Sequence, residues 1–162
     1  MSKSRFAHLG LCLAAFSGAA RGQWTEIEEA KLVASDGVIT DRFGAWVALE
    51  GDTLVIGAPG ADVAGLVDVG AAYVFVKSGP AWSEAQKLTP PVPAAGDEFG
   101  TSVAIDAGRI LVGAPLRDVG GKVDAGAVDV FDWNGASWVP SQVLSAPSPQ
   151  QTQHFGFAVA LD

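Results

Sequence analysis

The stretch Asp41-Arg-Phe-Gly-Ala-Trp-Val-Ala-Leu-Glu-Gly-Asp-Thr-Leu-Val-Ile-Gly-Ala-Pro59 returns as Asp97-Glu-Phe-Gly-Thr-Ser-Val-Ala-Ile-Asp-Ala-Gly-Arg-Ile-Leu-Val-Gly-Ala-Pro115. The correspondence continues beyond both prolines, with Trp82 returning as Trp138, so residues 41–96 align without a gap on residues 97–152 at a period of 56. Twenty-three of the 56 aligned positions are identical, more than an ungapped chance match of similar composition reaches. Internal duplication is the economical account, and it governs every other assignment. A third copy opens at Phe155-Gly156 and is followed only to Asp162, so the sequence is expected to be part of a longer array.

Each copy holds four short apolar runs separated by turn residues, the pattern of four β-strands. In the first copy they are Phe43 to Leu49, Thr53 to Ala58, Ala71 to Lys77 and Trp82 to Leu88; in the second, Phe99 to Ile105, Arg109 to Ala114, Ala127 to Trp133 and Trp138 to Leu144. Glu50-Gly51-Asp52 and Asp106-Ala107-Gly108 read as tight hairpin turns, with glycine accepting positive φ. The second run of each copy, Leu54-Val-Ile56 and Ile110-Leu-Val112, lacks polar alternation, so both faces of that strand leave water. A sheet stacked between similar sheets has that property, and a β-propeller stacks four-stranded sheets radially. The expectation is therefore an all-β partial propeller of four-stranded antiparallel blades. Only Thr25 to Leu32 has any helical character.

The N-terminus reads differently. Lys3 and Arg5 precede the apolar stretch Phe6 to Phe16, and Ala20 and Gly22 sit where a signal peptidase wants small residues, so residues 1–22 are expected to be a secretory leader. The apolar stretch is too short to span a bilayer as a helix. Residues 23–40 would supply an outer strand and linker, 41–96 the first blade, 97–152 the second, and 153–162 the first strand of a third. The one cysteine, Cys12, lies in the leader, which removes disulfides, thiolate metal sites and cysteine nucleophiles from the mature chain. Loss of Lys3, Arg5 and Arg21 with the leader takes the net charge from −8 to −11, which argues against nucleic acid as a partner.

The unit Phe43-Gly44, Gly57-Ala58-Pro59 and Ala71-Ala-Tyr-Val-Phe75 resembles the FG-GAP repeat, the blade unit of the integrin alpha-subunit propeller and of many bacterial secreted proteins. The resemblance covers residues 24–162 and implies a seven-bladed propeller, an extracellular setting, and a role in adhesion or ligand binding. Calcium-binding members carry an Asp-rich loop between the Phe-Gly and Gly-Ala-Pro strands. Here that place is held by Glu50-Gly51-Asp52 and Asp106-Ala107-Gly108, which cannot supply the six to eight oxygens calcium takes. No cofactor is therefore expected in these blades.

Among individual residues, Gly57-Ala58-Pro59 and Gly113-Ala114-Pro115 end a buried strand where small residues allow close backbone approach and proline stops further pairing. Phe43, Phe99 and Phe155, each followed by Gly44, Gly100 or Gly156, are expected to fill equivalent pockets between blades. Asp62 and Asp68 recur as Asp118 and Asp124 in the long loops after Gly-Ala-Pro. They admit two readings: a carboxylate ring on one propeller face that binds a cation or basic partner, or turn caps bonding their own backbone two residues on. Trp24, Trp82 and Trp138 recur and read as outer-strand packing, whereas Trp46 and Trp133 do not recur and are the better aromatic candidates for binding.

Catalysis has little support: His154 is the one histidine beyond the leader, no Gly-x-Ser-x-Gly elbow is present, and the adjacent pair Asp97-Glu98 would point to opposite faces of a strand. The functional expectation is a secreted, non-enzymatic scaffold, adhesion or ligand-binding module contacting extracellular protein or carbohydrate. The alternative is a propeller that supports the catalytic part of a larger secreted enzyme, for example a hydrolase. A chain of only two blades would expose sheet faces and edges and is expected to self-associate.

Overall fold

The computed structural model describes residues 30–162. The expected leader, Trp24 and the first part of the 23–40 segment lie outside the described residues, as does most of the Thr25 to Leu32 stretch; its described part, Ala30 to Leu32, is not helical.

Among the described residues, eight strands form two sheets of identical plan: β1 (Val47–Glu50), β2 (Thr53–Ala58), β3 (Ala71–Ser78) and β4 (Ala81–Leu88), then β5 (Ser102–Asp106), β6 (Arg109–Ala114), β7 (Ala127–Trp133) and β8 (Trp138–Leu144). Each sheet is an antiparallel meander in sequence order, β1-β2-β3-β4 and β5-β6-β7-β8. The duplication extends to the irregularities. Register shifts at Val74/Phe75 in the first sheet and at Val130/Phe131 in the second, positions 56 apart. Pro140 sits beside the second of these, on an edge strand, where its missing N–H is tolerated.

Both faces of β2 are buried. Val55, Ala72 and Val74 join Phe99, Val103, Ile110, Val112 and Phe131 in the core between the sheets. Leu54, Ile56, Tyr73 and Phe75 pack on the other face against Leu32, with Phe43 and Trp82 at the margin. Burial of Leu54, Val55 and Ile56 to within 1 % of complete explains why the strand carries no polar alternation.

The first strand of each sheet starts later than the apolar pattern predicts, at Val47 rather than Phe43 and at Ser102 rather than Phe99. Arg42 and Gly44 take positive φ of 56° and 91°, and Glu98 and Gly100 take 52° and 93°, so the Phe-Gly segment is a turn and cannot extend the ladder. The turn still pairs. Gly44 N–H donates to the Gly57 carbonyl and Gly100 N–H to the Gly113 carbonyl, while Phe99 forms a parallel bridge with Gly70 and Phe155 one with Gly126.

Hydrogen bonds staple the copies together. Near the Phe-Gly turns, Gly96, Glu98 and Phe99 donate backbone N–H groups to the carbonyls of Val67, Asp68 and Val69, and Thr152, His154 and Phe155 repeat this with Val123, Asp124 and Ala125. At the outer edge, the Gln86 side-chain amide donates to the Trp138 carbonyl and accepts its N–H, both at 2.8 Å. These bonds satisfy backbone groups that burial would otherwise leave unpaired.

Candidate functional site

The glycines of the repeated motif lie where no side chain fits. A β-carbon on Gly57 would collide with the Gly100 carbonyl, one on Gly113 with the Gly156 carbonyl, and one on Gly70 with the Phe99 backbone. The Gly of Gly-Ala-Pro in one copy therefore packs on the Gly of Phe-Gly in the next. Phe99 is fully buried and meets Phe131 edge-on at 6.1 Å. Phe43 repeats this contact edge-on with Phe75, also at 6.1 Å, and is half-buried, as is Phe155.

The paired aspartates act on their own loops, over a longer span than the expected two residues. Asp62 Oδ1 accepts the Asp68 N–H at 3.0 Å, and Asp118 Oδ1 accepts the Asp124 N–H at 3.0 Å. Asp68 and Asp124 stand at φ of 52° and 53°, a conformation that aspartate tolerates better than most side chains. Each pair thus closes a compact loop. The second pair, Asp118 and Asp124, lines a cavity.

That cavity, about 530 Å³, opens where residues 91–97, leading into the second sheet, pass the loop after β6. Asp97, Arg117, Asp118, Asp124 and Asp129 contribute polar groups, and Pro91, Val92, Leu116 and Val143 are among its apolar walls. Arg117 Nε donates to Asp97 Oδ2 at 3.1 Å, and Arg117 Nη2 lies 2.8 Å from Asp129 Oδ2. The second contact is an ion pair out of hydrogen-bond alignment, and neither Asp129 oxygen has a hydrogen-bond donor among the described residues. Asp129 is completely buried. A buried carboxylate short of donors is costly, several kcal/mol as an order of magnitude, which sets this residue apart from surface ion pairs.

Burial pushes the Asp97 carboxyl up, against the opposing pull of Arg117. Burial opposes the Arg117 charge, but Asp129 and then Asp97 outweigh it and raise its pKa. Asp97-Glu98, set aside above as a strand pair, is in fact part of the turn: Asp97 points inward to Arg117, whereas Glu98 reaches outward to Arg42 at 2.7 Å.

The first copy fills the same place differently. Tyr73 occupies the register of Asp129: it faces Ile56 and Lys87 as Asp129 faces Val112 and Val143. Ala61 stands at the position of Arg117 and Asp36 at that of Val92. The Tyr73 hydroxyl donates to Asp36 at 2.8 Å, and Lys87 Nζ reaches Asp36 at 2.7 Å while lying 5.2 Å above the Tyr73 ring. Burial, and then the bond to Asp36, hold the Tyr73 hydroxyl far above the usual phenol range.

Trp46 and Trp133 are both partly exposed, at 43 % and 48 %. Trp133 packs against Trp138 at 5.5 Å with the rings tilted by 56°, where the first copy sets Lys77 over Trp82 at 5.8 Å. His154 stands at the turn position of Arg42 and Glu98, with φ of 54°. Among the described residues, no three His, Cys, Asp or Glu side chains converge as a metal site, and no helix is long and apolar enough to cross a membrane.

Two like sheets, held face to face by a recurrent glycine contact, define a blade-stacked β-repeat module. The FG-GAP repeat family model matches residues 24–75 and 82–131, and the chain belongs to that family. No curated protein matches the chain.

Proposed function

We propose that the chain is a secreted, non-enzymatic FG-GAP propeller module whose cavity-bearing rim binds an extracellular ligand. The observation that carries this reading is the contrast between frame and rim. The glycine contacts, the bulges and the loop-closing aspartates are kept in both copies, whereas the buried groups behind the rim are exchanged from Tyr73 and Ala61 to Asp129 and Arg117. A constant frame with altered side chains at one concave place is how a repeat scaffold acquires a binding site.

The leader-like residues 1–22 support export, and the family is typical of extracellular proteins. The reading is tested by producing the full chain in a secretion-competent host and sequencing the exported N-terminus, expected at Gln23. The exported protein is then applied to immobilised extracellular-matrix proteins and polysaccharides alongside chromogenic ester, glycoside and phosphoester substrates. Saturable binding without turnover is expected. Retention of the unprocessed chain, or turnover abolished by substitution in the cavity, would overturn it.

A further inference from the structure

We propose that the cavity beside Asp129 takes a small organic cation, an alkylammonium or alkylguanidinium group on a short apolar stem. The inference deepens the binding-module reading and rests on it for treating the cavity as a recognition site.

Neither Asp129 oxygen has a hydrogen bond among the described residues, and its charge is met only by the ion pair of Oδ2 with Arg117 Nη2 at 2.8 Å, although the side chain is fully buried and lines the cavity. Arg117 is already divided between Asp97 and Asp129, so its charge is spent. Four aspartates against one arginine leave the cavity acidic, which repels anions. A neutral ligand could donate a hydrogen bond but would leave that charge unbalanced.

The first copy shows what complements such a place. There an amine on a four-carbon stem, Lys87, comes from the sheet itself, crosses the Tyr73 ring and ends on Asp36. The second copy replaces Lys87 by Val143 and Asp36 by Val92, and moves the carboxylate onto the strand as Asp129. The built-in amine is gone, an acid stays buried, and apolar walls line the route that the stem would take. The volume of about 530 Å³ is in the range of small-molecule sites.

The test is calorimetric titration of the exported full chain with n-butylammonium and n-butylguanidinium, against n-butanol and butyrate as neutral and anionic counterparts and against calcium. Saturable binding of both cations is expected, with none by the counterparts or by calcium. Asp129→Asn should weaken cation binding at least tenfold. Asp129→Tyr combined with Arg117→Ala, which sets the first copy's residues at these two positions, should abolish it, with a retained cooperative thermal transition as the control for folding. Absence of cation binding, equal binding of n-butanol, calcium binding that depends on Asp129, or unchanged affinity in Asp129→Asn would each overturn the proposal. Cation binding lost while matrix binding persists would remove this inference alone; cation binding without any matrix or polysaccharide ligand would remove the adhesion reading alone.

Discussion

The α-carbon of Gly57 faces the carbonyl oxygen of Gly100 across the junction of the two sheets, with no room for a methyl group between them. Backbone lies on both sides of this contact, so neither partner can swing away as a flexible side chain would. Gly57→Ala should therefore cost roughly 3 kcal/mol, the upper end of overpacking effects. Gly51→Ala is the matched control: its turn is open but has φ of 54°, so only the left-handed penalty of about 1 kcal/mol applies. Urea unfolding of the two variants separates steric from conformational cost, and similar losses would deny the Gly57 contact its role.

Phe99 and Phe43 hold the same motif position but different surroundings. Phe99→Ala removes a fully buried ring from the core between the sheets and should cost about 3–5 kcal/mol. Phe43→Ala, at a half-buried site, should cost clearly less. Chemical denaturation midpoints at constant slope give the comparison.

Ala107 and Gly108 both have positive φ, 46° and 76°, the pattern of a type I′ hairpin that prefers Asn-Gly. The Ala107 N–H is held by Glu50 at 2.8 Å, a bond that asparagine would keep. Ala107→Asn should raise stability by up to about 1 kcal/mol, seen as a higher melting temperature.

The Asp97 pKa is raised on folding, chiefly by burial, so the folded protein holds that proton more tightly than the unfolded chain. Its contribution favours the fold below the ordinary value of 3.8 and is lost as pH climbs through the raised value. Asp36, lowered mainly by its bond to Lys87, has the opposite sign: its contribution is present above 3.8 and lost as pH falls through the lowered value. Asp97→Asn should therefore remove part of the decline in stability just above pH 3.8 and leave the acid limb in place. Unfolding free energies measured from pH 3 to 7 for the two proteins test this.

The sheets were legible because their signals are local. Arg109 to Ala114, Ala127 to Trp133 and Trp138 to Leu144 have the boundaries that apolar runs and turn residues predict. The first strands were not, because alternation from Phe43 or Phe99 gives no sign of left-handed backbone at Arg42, Gly44, Glu98 and Gly100. The cavity was missed for a different reason. Identities between copies mark the frame, whereas the site lies in their differences, Tyr73 against Asp129 and Ala61 against Arg117. A lone aspartate inside the apolar run Ala127 to Phe131 was the available signal. Its meaning depends on Arg117, twelve residues earlier on a loop, and only the fold brings the two together.

The glycine contact also sets where such a protein can be divided. Gly57 and Gly100 belong to different copies, so a segment cut after residue 96 severs the steric lock together with the backbone bonds that Glu98 and Phe99 donate to the carbonyls of Asp68 and Val69. A segment running from the Gly51-Asp52 hairpin to the Ala107-Gly108 hairpin keeps that lock whole. It meets its neighbours through strand pairing, which depends on backbone amides more than on side-chain identity. Blades exchanged between proteins at these hairpins would carry their own hinge and ask of the host an open strand edge and an apolar face to complete the core.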